Sequence, residues 1–297
     1  MAGKVAVFAA ALVAVVAATG AAAATRATSL DPAKLTLQPA DFPGSHSLGS
    51  RLAAQAPIVG GYSRTIKLAK PYGASRFGEI VSLSFVIQDV QTGALFYHQL
   101  GREFSQKTER TALAKQFLAG AGLKFKPSAV TMTKPRGLGL PDSSMEIGFV
   151  VKSGKLKINF AVTLVRVDRV IDVTVATGIG HAVAFADTVA VTKLAAGHIS
   201  AALVPGAAAA PTISGTAAQG QTLSSTNGTW SNAPTAYAVQ WERCDGAGAN
   251  CTDIPGATSP TYTVSSSDAG ATLRARVTAT NRFGSASAES AQTATVT

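Results

Sequence analysis

Between Met145 and Val175 the chain alternates apolar and polar residues with period two through three successive segments, a pattern that a half-buried strand satisfies and a helix does not. Met145, Ile147, Phe149 and Val151 fall on one side. After Ser153-Gly154, a two-residue turn signal, Leu156, Ile158, Phe160, Val162 and Leu164 continue the apolar face, with Lys155, Lys157 and Asn159 opposite. After Asp168-Arg169 a third run places Ile171, Val173 and Val175 inward and Asp172 and Thr174 outward. An antiparallel meander with one apolar face is therefore predicted, and that face must be covered. The segment beyond Gly178-Ile179-Gly180 supplies a cover, since Phe185, Val189, Thr192, Ala196, Ile199 and Leu203 recur at spacings of four and three, one stripe of an amphipathic helix. Upstream, Val59 to Leu68 and Ile80 to Val90 read as strands. Leu95 to Phe117 reads as one broken or two consecutive helices, with Thr108 as an N-cap.

Residues 205–211, Pro-Gly-Ala-Ala-Ala-Ala-Pro, divide the chain. They read as a short extended linker, and composition changes across them: both Trp and both Cys lie after it, whereas every Lys and 11 of the 12 Phe lie before it. Residues 30–204 then form a basic α+β domain, an antiparallel sheet packed by helices. Residues 212–297 form an all-β unit of short strands punctuated by turn residues every eight to twelve positions.

The first 24 residues read as a signal peptide: Lys4 heads an apolar run from Val5 to Ala18, and small residues from Gly20 to Ala24 suit a signal peptidase. A retained anchor is the rival reading, but the run falls short of the ~20 residues of a spanning helix. Of the 26 Lys and Arg, 21 lie between Thr25 and Val204, against 11 of the 16 acids, so the basic character belongs to the first domain. A positive field of this kind favours anionic partners such as wall polymers, acidic polysaccharide or lipid headgroups; a merely soluble basic surface is the alternative.

The element order of the first domain, together with the opening Leu37-Gln38-Pro39-Ala40-Asp41-Phe42-Pro43-Gly44, resembles the PsbP-type sensor-like domains of bacterial envelope proteins. That resemblance implies an α/β/α sandwich with a binding or scaffold role. In the second unit the ordered strings Ile213-Ser214-Gly215, Gly220-Gln221-Thr222-Leu223, Gly228-Thr229-Trp230, Gln240-Trp241-Glu242-Arg243-Cys244-Asp245, Ile254-Pro255-Gly256, Ser267-Asp268-Ala269-Gly270 and Val277 through Gly284 resemble the Ig-like repeat of bacterial surface and secreted proteins. The resemblance implies an Ig-like sandwich with Trp241 as its core strand indole and Asp268-Ala269-Gly270 as a turn before the penultimate strand. The inter-sheet disulfide of antibody domains is absent, Ala275 and Val277 standing where Cys would, and no Tyr stands there for a corner hydrogen bond.

Cys244 and Cys251, seven positions apart in a predicted hairpin tip of a chain read as exported, read as a local disulfide. No chemistry-bearing motif emerges elsewhere. His46, His98, His181 and His198 lack zinc-helix spacing, and Ser45-His46-Ser47-Leu48-Gly49 lacks the first Gly of a nucleophile elbow and reads as loop. Gly178-Ile179-Gly180 reads as a tight strand-to-helix turn rather than a dinucleotide fingerprint. Lys124, Lys126, Lys134 and Arg136, with Lys152, Lys155 and Lys157, form either a solvated face or an anion-binding one, with too few aromatics between them to stack nucleic acid. The expectation is a secreted or surface-held, non-enzymatic binding protein, monomeric, without cofactor or metal and without nucleic acid as partner, whose basic domain contacts an anionic cell-wall polymer or polysaccharide and whose Ig-like unit serves as spacer or adhesion module. The competing expectation is a secreted hydrolase-type enzyme with a site assembled from Asp41, Glu79, Asp142 and Glu146 with a His.

Overall fold

The structure, a computed structural model, describes residues 30–54, 57–74, 76–106, 108, 129–140, 143–153 and 155–297. The leader, the part of the expected Leu95–Phe117 helical stretch beyond residue 108, Lys124, Lys126 and Asp142 lie outside the described residues. The chain divides into two compact units, Met1–Ala202 and Leu203–Thr297.

The first unit opens with α1 (Pro32–Leu35), whose N-cap Asp31 accepts the Ala33 N–H, and then enters β1 (His46–Leu52), β2 (Ile58–Tyr72) and β3 (Phe77–Ile87). Helix α2 (Val90–Ser105) follows, capped by Asp89, whose carboxylate accepts from the Thr92 N–H and hydroxyl at 2.7 Å each. β4 (Val130–Met132), β5 (Arg136–Gly137), β6 (Ser143–Ser153), β7 (Leu156–Val167) and β8 (Val170–Ile179) complete one antiparallel sheet, and α3 (Phe185–Ala202) closes the unit. The strand order is β1-β2-β3-β8-β7-β6-β4, with β5 also paired to β6. The expected meander is β6-β7-β8, and its apolar face is as read: Ile147, Phe149, Val151, Ile158, Phe160, Val162, Leu164, Ile171, Val173 and Val175 form one buried cluster with Val81, Leu83, Phe85 and Ile87 of β3.

Three expectations are corrected. The helix on that apolar face is α2, through Phe96, Tyr97 and Leu100, while α3 lies on the opposite face. Its buried residues are Thr188, Val191, Thr192, Ala195 and Ile199, one position away from much of the stripe read in the sequence, and Phe185 is exposed. The opposite face is not solvated: Asp172, Thr174 and Asn159, read as outward, are buried at 1, 3 and 5% exposure. Hydroxyls make the difference, because Thr192 donates to Thr163 on β7 at 2.8 Å, so a threonine face meets a threonine-bearing sheet without stranding a polar group. The third correction is β1, read as loop. It is an edge strand exposed along most of its length and so shows no alternation, yet all seven residues pair with β2.

Both faces of the sheet are thus covered. Leu37 and Phe42 join Ile66, Ile80, Ala176, Val191 and Ala195 in a second cluster on the α3 side. The turn from β8 into α3 needs its glycines: Gly180 sits at φ 76°, and a Cβ on Gly178 would come within 2.8 Å of the His181 carbonyl oxygen.

The second unit is all strand apart from one short 3-10 turn over Ser266–Asp268. Residues 205–211, read as linker, contain β9 (Ala207–Ala209), which pairs with β12 (Thr229–Trp230). β10 (Ile213–Ser214), β11 (Thr222–Ser225) and β15 (Thr261–Thr263) form a three-stranded sheet, and β14 (Thr252–Asp253), β13 (Ala236–Cys244), β16 (Thr272–Asn281) and β17 (Gly284–Glu289) a four-stranded one. Leu223 of the smaller sheet and Val239, Trp241, Leu273, Ala275 and Val277 of the larger share one core. Trp241 is fully buried, stacks on Tyr262 at 5.6 Å between ring centroids, and donates its indole N–H to the Ser259 carbonyl at 2.9 Å.

Candidate functional site

Two polar systems are built on the first sheet. The first is internal. Asp172 accepts hydrogen bonds from Ser82 (2.9 Å) and Ser84 (2.6 Å) on one oxygen and from Thr174 (2.8 Å) on the other. Ser82 in turn accepts the Leu37 N–H at 3.1 Å, which ties the N-terminal segment to the sheet. Burial dominates the ionisation of Asp172, raising its pKa to about 6 against the pull of these donors and of the His198 charge. The nearby His198 Nε2 contacts both Asp41 oxygens at 3.0 and 2.9 Å, and Asp41 also accepts the Gln38 N–H. Of the groups weighed for an enzymatic site, the structure brings together Asp41 and His198. Glu146 is engaged elsewhere, and Glu79 stands opposite Lys67 in the β2-β3 register. Among the described residues no group of three or more His, Cys, Asp or Glu is placed to hold a metal ion.

The second system lies at one end of the sheet. Because β2 and β3 form one antiparallel pair and β6 and β7 another, and β8 runs between them, both hairpin ends and the C-terminus of β8 meet at the same end. Lys67, Lys70 and Arg76 come from the first hairpin; Lys152, Lys155 and Lys157 come from the second, and all six are exposed. Lys152 stands directly opposite Lys157 in the ladder. Among the described residues the ion pairs include none of these six cations. Ile179, at the tip of β8, leaves 53% of its surface exposed between the two hairpins.

Beside the second hairpin lies a pocket of about 240 Å³, lined by Thr133, Lys134, Arg136, Glu146, Gly148 and Asn159 with Val150, Ala161, Ala182 and Val183. Arg136 is held: its Nε and Nη2 donate to one oxygen of the buried Glu146 at 3.1 and 2.5 Å, and its guanidinium lies 3.8 Å from the Phe185 ring centroid. Thr188 of α3 donates to the other Glu146 oxygen.

The basic residues singled out in the sequence therefore separate. Lys152, Lys155 and Lys157 share the sheet end, Lys134 borders the pocket, and Arg136 is committed to Glu146. Lys67, Lys70 and Arg76 were missed because they lie some 80 residues from the second hairpin, and only the strand order shows that the two ends coincide.

The second unit has the opposite character. Arg274 and Arg276 both bind the buried Glu242 at 2.5 Å, and they reach Glu289 and Asp253 as well. Arg243 binds Asp268 at 2.5 Å. Three of its four arginines are paired with its own acids. Cys244 and Cys251 form a disulfide that closes the β13-β14 loop.

Comparison with protein-family models and with curated proteins finds no match to this chain. No helix among the described residues is long and apolar enough to cross a membrane.

Proposed function

We propose that this is an exported, non-enzymatic protein of the cell envelope whose basic first unit binds an anionic wall polymer or polysaccharide, and whose second unit, read as an Ig-like sandwich, acts as a spacer. The observation that carries the reading is the gathering of Lys67, Lys70, Arg76, Lys152, Lys155 and Lys157 at one sheet end, from two hairpins distant in sequence. Glu79 stands opposite Lys67 in the ladder, and the surplus of positive charge that the cluster keeps gains from a linear polyanion that spans it. The rest of the molecule supports a division of labour, since the arginines of the second unit that face acids are internally neutralised and leave no comparable field. The leader expected over residues 1–24 supplies the route outside the cell, and the disulfide suits an oxidising compartment.

The test is retention of the full chain on purified cell-wall fractions over a salt series. Binding should fall steeply as salt rises and be lost near 1 M, where the screening length is about 3 Å. The variant Lys67→Glu/Lys70→Glu/Lys152→Glu/Lys157→Glu should not be retained at any salt concentration. Retention insensitive to salt would overturn the proposal.

A further inference from the structure

We infer that the pocket beside the lysine pair is a binding site for one anionic, hydroxyl-bearing unit, either a sugar acid or a polyol phosphate. This rests on reading the first unit as a polyanion-binding domain and places one repeat of that polymer on named atoms.

The β6-β7 ladder on the α3 side explains why a pocket exists there. Successive cross-strand pairs are Glu146 with Thr163, Gly148 with Ala161, Val150 with Asn159, and Lys152 with Lys157. Helix α3 covers the first pair, through Thr188 on Glu146 and Thr192 on Thr163. Beyond it the cover is only the side of the β8-α3 connection, Ala182 and Val183. At the second pair a glycine faces an alanine; Thr133 sits over the glycine, and the space left beside it is the pocket. The last pair on this face is Lys152 with Lys157, whose backbone lies roughly 7 Å along from Val150 and Asn159 at the rise of a strand.

The lining sorts by chemistry. Val150, Ala161 and Val183 give an apolar floor suited to C–H surface. Thr133, which accepts the Gly148 N–H at 2.8 Å, and Asn159, which donates to the His181 carbonyl at 2.5 Å, put hydroxyl and amide groups at the wall. The Glu146 carboxylate is already met by Arg136 and Thr188, so the cation that faces a ligand from the wall is Lys134, and Lys152 and Lys157 follow one pair further along the same face. A compact unit with hydroxyls and one anionic group matches this set. The volume is below the ~300 Å³ at which drug-sized ligand sites begin, which limits occupancy to a single unit. The nearby aromatic face, Phe185, is covered by the Arg136 guanidinium, so no platform for stacking a base is offered.

Amide spectra of the full chain titrated with galacturonate, glycerol 3-phosphate and neutral galactose test the site. Shifts at Thr133, Gly148 and Asn159 with at least one anion are expected, with galactose binding about tenfold or more weakly for want of its charge-assisted bonds. The tighter of the two anions tells carboxylate from phosphate. Val150→Trp should fill the pocket and abolish the shifts. Lys134→Ala, a surface change that leaves the core alone, should weaken them about tenfold. Both variants should still be held on wall fractions in a salt-sensitive way by the sheet-end lysines. Shifts that survive in both variants, galactose binding as tightly as the anions, or no shift with either anion would each overturn the pocket while leaving the polymer-binding reading intact. Anions that bind the pocket of a chain not retained on wall polymer would overturn the polymer reading and leave the pocket standing.

Discussion

Alternation with Ile171 and Val173 places Asp172 on the outward face of the meander, but it is buried because the second sheet face is also covered. Its ionisation now has a consequence for stability. Burial holds its folded pKa near 6, above the ordinary 3.8, so its contribution is fully present below 3.8 and is lost as the pH rises through 6. The difference in unfolding free energy between wild type and Asp172→Asn should therefore fall by on the order of 3 kcal/mol between pH 4 and pH 7. Denaturant midpoints across that range check it, and a flat difference would contradict the assignment.

Asp268 behaves in the reverse sense. Burial raises its pKa, but this is outweighed by the Ser265 N–H at 2.7 Å, the Tyr262 hydroxyl at 2.7 Å and Arg243, so the carboxyl is held below its usual range. Its contribution is present above 3.8 and is lost as the pH falls through the folded value. Asp268→Ala should cost about 2–4 kcal/mol at neutral pH, since it leaves Arg243 and Tyr262 without their acceptor, and the cost should shrink in acid. Thermal unfolding of the variant at pH 7 and pH 3 measures both. No tyrosine stands on the strand after Asp268 for a corner bond, and Tyr262, on β15, bonds Asp268 instead.

At the scale of elements, β6 and β7 carry next to their turn a pair of like charges placed directly opposite one another, an arrangement that weakens a ladder. Lys157→Glu should stabilise the first unit by about 0.5–1 kcal/mol while reducing retention on wall polymer. A variant that gained stability and kept full retention would show that the pair serves no ligand. The β13-β14 loop offers a second case. Its disulfide closes a short loop and contributes roughly 2–3 kcal/mol in the chain-entropy model. Calorimetry with and without reductant should lower the unfolding temperature of the second unit and leave that of the first unchanged. Helix α3 shows how far element-level reading reached. Its existence and its start after Gly180 were legible from periodicity and glycine placement. Its buried face was legible only in part: Thr192 and Ile199 belong to the stripe, but Thr188 counts as polar until its Glu146 partner is known.

For the whole molecule, the sequence alone determined that the chain holds two different kinds of unit, that the positive charge belongs to the first, and that residues 145–175 form a meander with a defined apolar face. These follow from composition and from the period of two, both of which are local properties of the chain. It also marked Cys244 and Cys251 as partners and Trp241 as a core residue. Tertiary structure alone decided that both faces of the first sheet are covered, that α2 rather than α3 takes the apolar one, and that Lys67, Lys70 and Arg76 meet Lys152, Lys155 and Lys157 at one end. Strand order is set by pairings between segments far apart in the chain. Which hairpin ends become neighbours, and which buried polar groups find donors, is therefore fixed only when the sheet closes its register.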